Sequence, residues 1–243
     1  MARIFITGSA DGLGQLAARE LVQLGHDVVL HARHEERARQ AMAKVPGARA
    51  IVSGDLSRLS EVRKVAEAAN ALGTFDAVIH NAGVYLASSE EVLLVNVLAP
   101  YALTCLMRKP GRLIYLGSGD HKAGRANLEN LHKSHRVSYA DSKLYLLMLG
   151  KSVARYWPAV YSNTVDPGWV PTKMGGSDAP DNLQQGYETQ AWLAVSNEAS
   201  TLVTGRYFYH KTESRYNTAA DDLVLQDRLI AICEEFTGVS FQD

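Results

Sequence analysis

Short apolar runs alternate with helix-like stretches along most of this chain. The runs RIFIT (3–7), DVVL (27–30), RAIVS (49–53), FDAVIH (75–80), GRLIYLG (111–117), AVYSNTV (159–165) and TGRYFY (204–209) read as strands. Most are apolar along much of their length, as strands covered on both faces must be. Between them, residues 14–25 place Leu16, Ala17, Leu21 and Leu24 on one helical face, and 59–72 do the same with Leu59, Val62, Val65, Ala66 and Ala69. Gly25 and Gly73 stand where C-terminal caps belong. Alternation of this kind predicts an α/β fold with a parallel sheet and helices on both faces. Ligands then bind beyond the carboxyl ends of the strands, so chemistry-bearing residues are expected there.

The rest of the sequence sets limits. Its 243 residues suffice for one α/β domain with a large core. A formal net charge of −1 gives no general attraction to nucleic acid or anionic lipid. Cys105 and Cys233 lie in apolar helical stretches and read as small buried hydrophobes, not as a disulfide or metal ligands. The start of the chain does not read as a signal peptide, and no apolar stretch is expected to span a bilayer. These features lead to the expectation of a cytoplasmic protein without a metal site. Segments 90–108 and 139–157 hold more apolar residues than a half-exposed helix needs.

The first strand runs into TGSADGLG (7–14) and then a helix. Gly8, Gly12 and Gly14 let the backbone turn sharply and let a phosphate approach, and the following helix aims its free N–H groups at the same point. Glycines needed only for packing are the competing reading, which the place of the turn at the first strand–helix junction disfavours. The second strand leads into HARHEER (31–37), with Ala32 where an acid would select NAD and Arg33 next to it. An arginine here accommodates a 2′-phosphate; alternatively Arg33 is a surface residue paired with Glu35 or Glu36. Asp55, after the third strand, reads as a helix cap.

Farther along, Asn96 interrupts an apolar helix and must find hydrogen bonds if buried. Ser118 lies at the end of the fifth strand, as a functional hydroxyl or a turn serine between Gly117 and Gly119. Tyr139 and Lys143, in YADSK, stand four apart and so share a helical face. A nearby ammonium favours the phenolate and lowers a tyrosine pKa from about 10, toward the range where it exchanges protons readily.

T-G-x-x-x-G-x-G, NAG (81–83), Asn96, Ser118, Y-x-x-x-K and P-G-x-V-x-T (167–172), in this order, resemble the short-chain dehydrogenase/reductase family. The closest pattern is its retinol-dehydrogenase-like branch, which shares the insertion at 122–136 and the C-terminal sequences. The resemblance implies a Rossmann-type doubly wound single domain over residues 1–243. It implies a nicotinamide dinucleotide held by Gly8, Ser9, Asp11, Gly12, Leu13, Gly14, Arg33, Asp55, Leu56, Asn81, Ala82, Gly83, Pro167, Gly168, Val170 and Thr172; Arg33 and the missing acid at Ala32 make NADP the expected form, with NAD possible. Asp55 and Leu56 would meet the adenine. Asn96 would open its helix and hold a water linked to the lysine. Ser118 would hold the reacting oxygen, Tyr139 would act as general acid/base, and Lys143 would tune Tyr139 and reach the nicotinamide ribose.

The reaction so implied interconverts a ketone or aldehyde and an alcohol. Trp169, Met174 and Trp192 point to an apolar or aromatic substrate, with core packing an equal reading for Trp192, and residues 173–190 point to a mobile loop over it. The two apolar helices suggest a homodimer or homotetramer. A cofactor-binding sensor or scaffold without turnover is the alternative, and a sugar-nucleotide epimerase is disfavoured by the glycine spacing. Asp166 departs from the family pattern. His80 replaces the family's Asn and reads as a hydrogen-bonding substitute within the sheet. His132 and His135 read as surface residues.

Overall fold

The structure, a computed structural model, describes residues 1–132 and 136–241. Eight strands form one sheet in the order β3-β2-β1-β4-β5-β6-β7-β8. They are β1 (Arg3–Ile6), β2 (Asp27–Ala32), β3 (Ala50–Ser53), β4 (Ala77–His80), β5 (Arg112–Leu116), β6 (Tyr161–Asp166), β7 (Tyr207–Tyr209) and β8 (Thr212–Glu213). The first seven pair in parallel. Only β8 is antiparallel, closing a hairpin on β7. The order reverses beside β1, where chain crossing over to β2 on one side and to β4 on the other leaves a crevice at the strand ends.

One face of the sheet carries α1 (Gly12–Gln23), α2 (Glu35–Lys44) and α8 (Leu183–Val195), whose apolar side chains share a core with Ile4, Ile6, Val28 and Leu30. The other carries α3 (Leu59–Ala71), α4 (Ser89–Leu93), α5 (Ala99–Leu106), α7 (Tyr139–Tyr156) and α9 (Leu223–Thr237), packed on Phe5, Val29, Val78 and Leu113. A short α6 (Glu129–His132) lies in the excursion before α7. Alternate residues of each strand thus enter opposite cores, which is why the strands read as continuous apolar runs.

Several elements depart from the sequence reading. TGRYFY contributes strand only at 207–209. It continues through His210 and Lys211, both at positive φ (48° and 62°), into β8. A two-residue strand reached through non-glycine left-handed residues leaves no pattern to read. The loop expected over 173–190 ends early, because Asn182 caps Gln185 N–H and starts α8. The apolar segment 90–108 is three pieces, α4 and α5 joined by a π turn at Leu94–Leu98.

That segment also corrects the expectation about membranes. Ser89–Leu106 is long and apolar enough by composition to cross a bilayer, with a mean hydropathy of 1.3, but 67% of it is buried inside the fold. The surplus apolar surface of α7 is covered within the chain as well. Asp141 to Gly150 are buried without interruption, between β5 and β6, the π turn and α9. Tyr101 of α5 donates its hydroxyl to Val239 O at 2.9 Å, and Phe241 stacks on Trp157 at 4.8 Å. Part of the surface that motivated pairing with a second subunit, along α7, is therefore occupied by α9 of the same chain.

Cys105 is half-buried and Cys233 buried, both free, with thiols pushed up chiefly by burial, Cys105 to about 12. The expectation for His135 and for the His132 side chain lies outside the described residues.

Candidate active site

A cleft of about 940 Å³ opens along the carboxyl ends of β1 to β6. Its floor begins at the glycine turn between β1 and α1. Gly8 has φ +62°, and a Cβ there would lie 2.8 Å from the Ala82 Cα; a Cβ on Gly14 would lie 2.4 Å from Asn81 Nδ2. The turn is thus pressed flat against the end of β4, where the Asn81 amide stitches it down by donating to Thr7 O and Gly8 O at 3.0 and 3.1 Å. A Cβ added on Gly12 (φ +53°) would meet nothing within 4 Å, so that side of the turn is open, and Gly12 lines the cleft. Asp11 caps α1 by accepting from Gly12 N–H at 2.8 Å.

His31, which sequence reasoning passed over, fixes this turn from the other side. It accepts from Gly8 N–H through Nδ1 and donates from Nε2 to Gly54 O, both at 3.0 Å. Burial keeps it neutral, pulling its pKa down to about 4. The Ser9 hydroxyl is fully buried, donating to Ile6 O and accepting from His31 N–H at 2.8 Å each. Ser9 and Gly14 therefore brace the turn from behind, while Gly8, Asp11, Gly12 and Leu13 line the cleft.

The β2–β3 end of the cleft is charged. Arg33 pairs with Asp55 (Nε to Oδ2, 2.9 Å) and reaches Glu91 at 3.5 Å. It does not depend on Glu35 or Glu36, the partners offered by sequence proximity. Asp55 also accepts from Ser57 N–H and Oγ–H. Burial raises its pKa, but these bonds and Arg33 outweigh it and leave the carboxyl below its ordinary value. Two further cations converge on Asp11: Arg37 at 3.1 Å, and Lys173, from the segment after β6, at 2.6 Å. Neither was among the expected residues; Arg37 lies four residues beyond Arg33, in the first turns of α2.

The other end holds the candidate reacting groups. Ser138 and Asp141 form a capping box that fixes the first turn of α7, so Tyr139 starts the helix at the cleft wall. Lys143, one turn on, is 3% exposed and donates Nζ–H to Leu116 O at 2.7 Å. Its Nζ stands 5.5 Å from the Tyr139 ring centroid. Tyr85 packs edge-on against Tyr139, with centroids 4.8 Å apart. Ser118 follows β5, its hydroxyl accepting from Asp120 N–H at 3.2 Å and lying near enough to Tyr139 to lower the phenol's pKa by hydrogen bonding.

Burial dominates the titration of this pair. It pushes Tyr139 up to about 12, Ser118 acting against it and Asp120, Asp166 and Tyr85 with it. It pulls Lys143 down to about 8, with Asp166 and Asp120 opposing. The phenol thus moves in the direction opposite to that expected from a neighbouring ammonium alone.

Asn96 lies behind this wall, fully buried in the π turn. The local opening of the helix is present. Its side chain accepts from Val84 N–H at 2.8 Å and donates to Val84 O and Ser142 Oγ at 2.9 and 3.1 Å, so its amide anchors the chain after β4. A Cβ on Gly83 would lie 3.4 Å from both Asn96 Oδ1 and Lys143 Nζ, so glycine keeps this space free. His80 is buried, stacks on Tyr115 and meets Thr104 Oγ at 3.1 Å, within the sheet and away from the cleft.

Beyond β6, Pro167, Gly168, Val170 and Thr172 line the cleft together with Leu56, Ala82 and Gly83. Gly168 has φ +78°, and Asp181 holds Trp169 N–H at 2.6 Å. Exposed Trp169 and Met174 border the opening, joined by Tyr209, which the sequence did not mark. Trp192 packs edge-on against Phe208 in the core instead. Among the described residues there is no group of His, Cys, Asp and Glu able to hold a metal ion.

The arrangement fits a dinucleotide. The turn is flattened against β4 and open toward the cleft, and the Asn81 Oδ1 is buried there without a partner. Comparison with known proteins agrees. Residues 2–183 match the family model described as short chain dehydrogenase. An uncharacterized oxidoreductase of Emericella nidulans is 44% identical, the alignment covering 98% of each chain. The crystal structure of an uncharacterized protein from Mycobacterium Paratuberculosis superposes with a TM-score of 0.84 at 26% identity, covering 100% of this chain and 96% of the other. A blue fluorescent protein from a metagenomic library, solved in complex with NADPH, gives 0.72 at 26% identity, covering 85% and 95%.

Proposed function

The chain belongs to the short-chain dehydrogenase/reductase family, and we propose that it is an NADP-dependent oxidoreductase interconverting an apolar ketone or aldehyde with its alcohol. The observation that carries this reading is the convergence of Ser118, Tyr139 and Lys143 at the end of a cleft that begins at the glycine turn. The NADPH complex of a structural neighbour supports the choice of cofactor, as does the absence of an acid at Ala32.

In this reading the turn Gly8–Leu13 would hold the diphosphate, with the first-turn N–H groups of α1 facing it. Asp55 and Leu56 would border the adenine, and Arg33, supported by Arg37, would receive the 2′-phosphate. Pro167 to Thr172 would flank the nicotinamide. A bound nicotinamide supplies hydride transfer and, when oxidised, a positive charge at the site. Ser118 orients the substrate oxygen, and Tyr139 gives it a proton in reduction or removes one in oxidation. Lys143 steadies the phenolate and reaches toward the ribose. Tyr85, Trp169 and Met174 form the apolar surround for the substrate. We further take the protein to act in the cytoplasm.

The test is hydride transfer followed by NADPH absorbance over a panel of aromatic and aliphatic aldehydes, ketones and alcohols. Turnover is expected with NADPH or NADP and is expected to disappear in Tyr139→Phe. A Tyr139→Phe enzyme with the wild-type rate would overturn the mechanism.

A further inference from the structure

Asp166 is a buried acid at the catalytic end of the sheet to which the reaction above assigns no task. Its Oδ1 accepts from Gly168 N–H at 2.9 Å, fixing the glycine turn after β6. Its Oδ2 accepts from the Tyr207 hydroxyl at 2.9 Å, tying the end of β6 to β7. The Tyr207 ring packs on His121, 4.7 Å between centroids. His121 in turn donates from Nδ1 to Ser118 O at 2.7 Å and accepts from Asn217 N–H at 3.2 Å through Nε2. A Cβ on Gly119 would approach Asp166 Oδ2 to 3.1 Å, so glycine there leaves room for the carboxylate. One acid therefore ties the end of β6 to β7 and abuts the turn after β5, and it lines the same cleft as Tyr139 and Lys143.

We propose that Asp166 is a positioning residue for the Tyr139–Lys143 pair: its carboxylate ties the turn after β6 to Tyr207 of β7, abuts the turn after β5, and stands buried in the cleft that Lys143 also lines. The proposal rests on the reading of that pair as the acid/base machinery. A lysine buried to this degree needs a compensating charge or loses its proton. The charged and titratable groups acting on Lys143 are Asp166 from β6, Asp120 from the turn after β5, and Tyr139 from its own helix. Those acting with Asp166 are Tyr207 and Tyr209 from β7, His121, Tyr139 and Lys143. Asp120 is exposed, so water screens it, whereas Asp166 acts from the interior.

The test reads Lys143 directly. The full chain is labelled with 13Cε-lysine, the Lys143 resonance is assigned by its loss in Lys143→Met, and its titration is followed in wild type, Asp166→Asn, Asp120→Asn and Tyr207→Phe. Asp166→Asn keeps an oxygen for Gly168 N–H but removes the charge, and it is expected to lower the Lys143 midpoint by about one pH unit. Asp120→Asn is expected to lower it less. Tyr207→Phe keeps the carboxylate and is expected to leave the midpoint in place. An unmoved midpoint in Asp166→Asn overturns the proposal, as does an equal fall in Tyr207→Phe, which would trace the effect to packing. Should Asp166→Asn not fold, Asp166→Ser is read in the same way.

The alkaline limb of hydride transfer is expected to follow the midpoint downward. A shifted midpoint with an unmoved rate profile would leave Asp166 in its place beside Lys143 but take Lys143 out of the chemistry, a failure of the functional reading and not of this one.

Discussion

Arg33 Nε and Asp55 Oδ2 meet at 2.9 Å, so the cation after β2 and the acid after β3 hold each other across one end of the cleft. The Arg33 side chain remains 55% exposed, with its Nη2 toward Glu91. A planar fork has donors left for a phosphate while one nitrogen keeps its carboxylate. Arg33→Ala is expected to raise the KM for NADPH roughly tenfold and to leave that for NADH nearly unchanged. Steady-state kinetics with both cofactors check this, and an unaltered NADPH preference would remove Arg33 from cofactor choice.

Tyr139→Phe separates chemistry from structure. The ring keeps its edge-on contact with Tyr85, and the capping box of Ser138 and Asp141 does not involve the phenol. Turnover is expected to fall by about 10²–10⁴, the range for loss of a general acid/base. Cofactor binding, followed by NADPH fluorescence, is expected to stay within about twofold of wild type.

Lys143 opposes stability at the place where a function is proposed for it. It titrates near 8 in the folded chain, against about 10.4 when unfolded. Between those values the unfolded chain binds more protons, so this residue's contribution to stability improves as pH rises through the window and is least favourable below it. Lys143→Met is therefore expected to melt several degrees higher than wild type at pH 7 while losing activity. The gap in Tm is expected to narrow from pH 8 to about 10.5. A variant less stable than wild type at pH 7 would show that the Nζ–H to Leu116 O bond outweighs burial of the charge.

Acid acts through two buried histidines. Burial pulls His31 down to about 4 and His80 to about 3. Both therefore bind protons more readily in the unfolded chain, and stability is expected to fall as pH drops from about 6.5 toward 4. His80→Asn is expected to flatten that decline in thermal melts, because its site would no longer take up a proton on unfolding. His31 in the same variants would retain its share.

The glycine turn gives a steric test. Gly8→Ala must put a Cβ 2.8 Å from the Ala82 Cα at a φ of +62°. Backbone meets backbone there, so no rotamer relieves the contact. A loss of about 1–3 kcal/mol is expected, together with weaker NADPH binding by titration calorimetry; an unchanged melt and affinity would show that the turn can lift from β4.

Much of this site could be read along the chain because it lies at strand ends. Gly8, Ser118, Tyr139 and Gly168 each follow a recognisable element, and parallel strands place their carboxyl ends together without further information. What escaped were pairings through space. Arg33 has two acids within three residues, yet its partner is 22 positions away. Asp166 stood out only as a departure from the family pattern, and its role gave no signal until Tyr207 and Gly168 were seen around it. Lys143 suggested a lowered tyrosine because the sequence shows the charge; it does not show the burial that moves Tyr139 upward. The apolar excess of α7 was legible, but its occupant, α9, begins more than sixty residues later.

That late cover has a consequence for how the chain matures. β1, β2 and the glycine turn find their strand partners and the Asn81 and Ala82 contacts once the chain has been made through the end of β4. The helix that carries Tyr139 and Lys143 leaves the ribosome with one long flank bare, and it stays bare until Leu223–Thr237 has followed. Nascent chains halted before that point would present an apolar surface to chaperones, holding a finished glycine turn beside an unfinished helix that carries Tyr139 and Lys143.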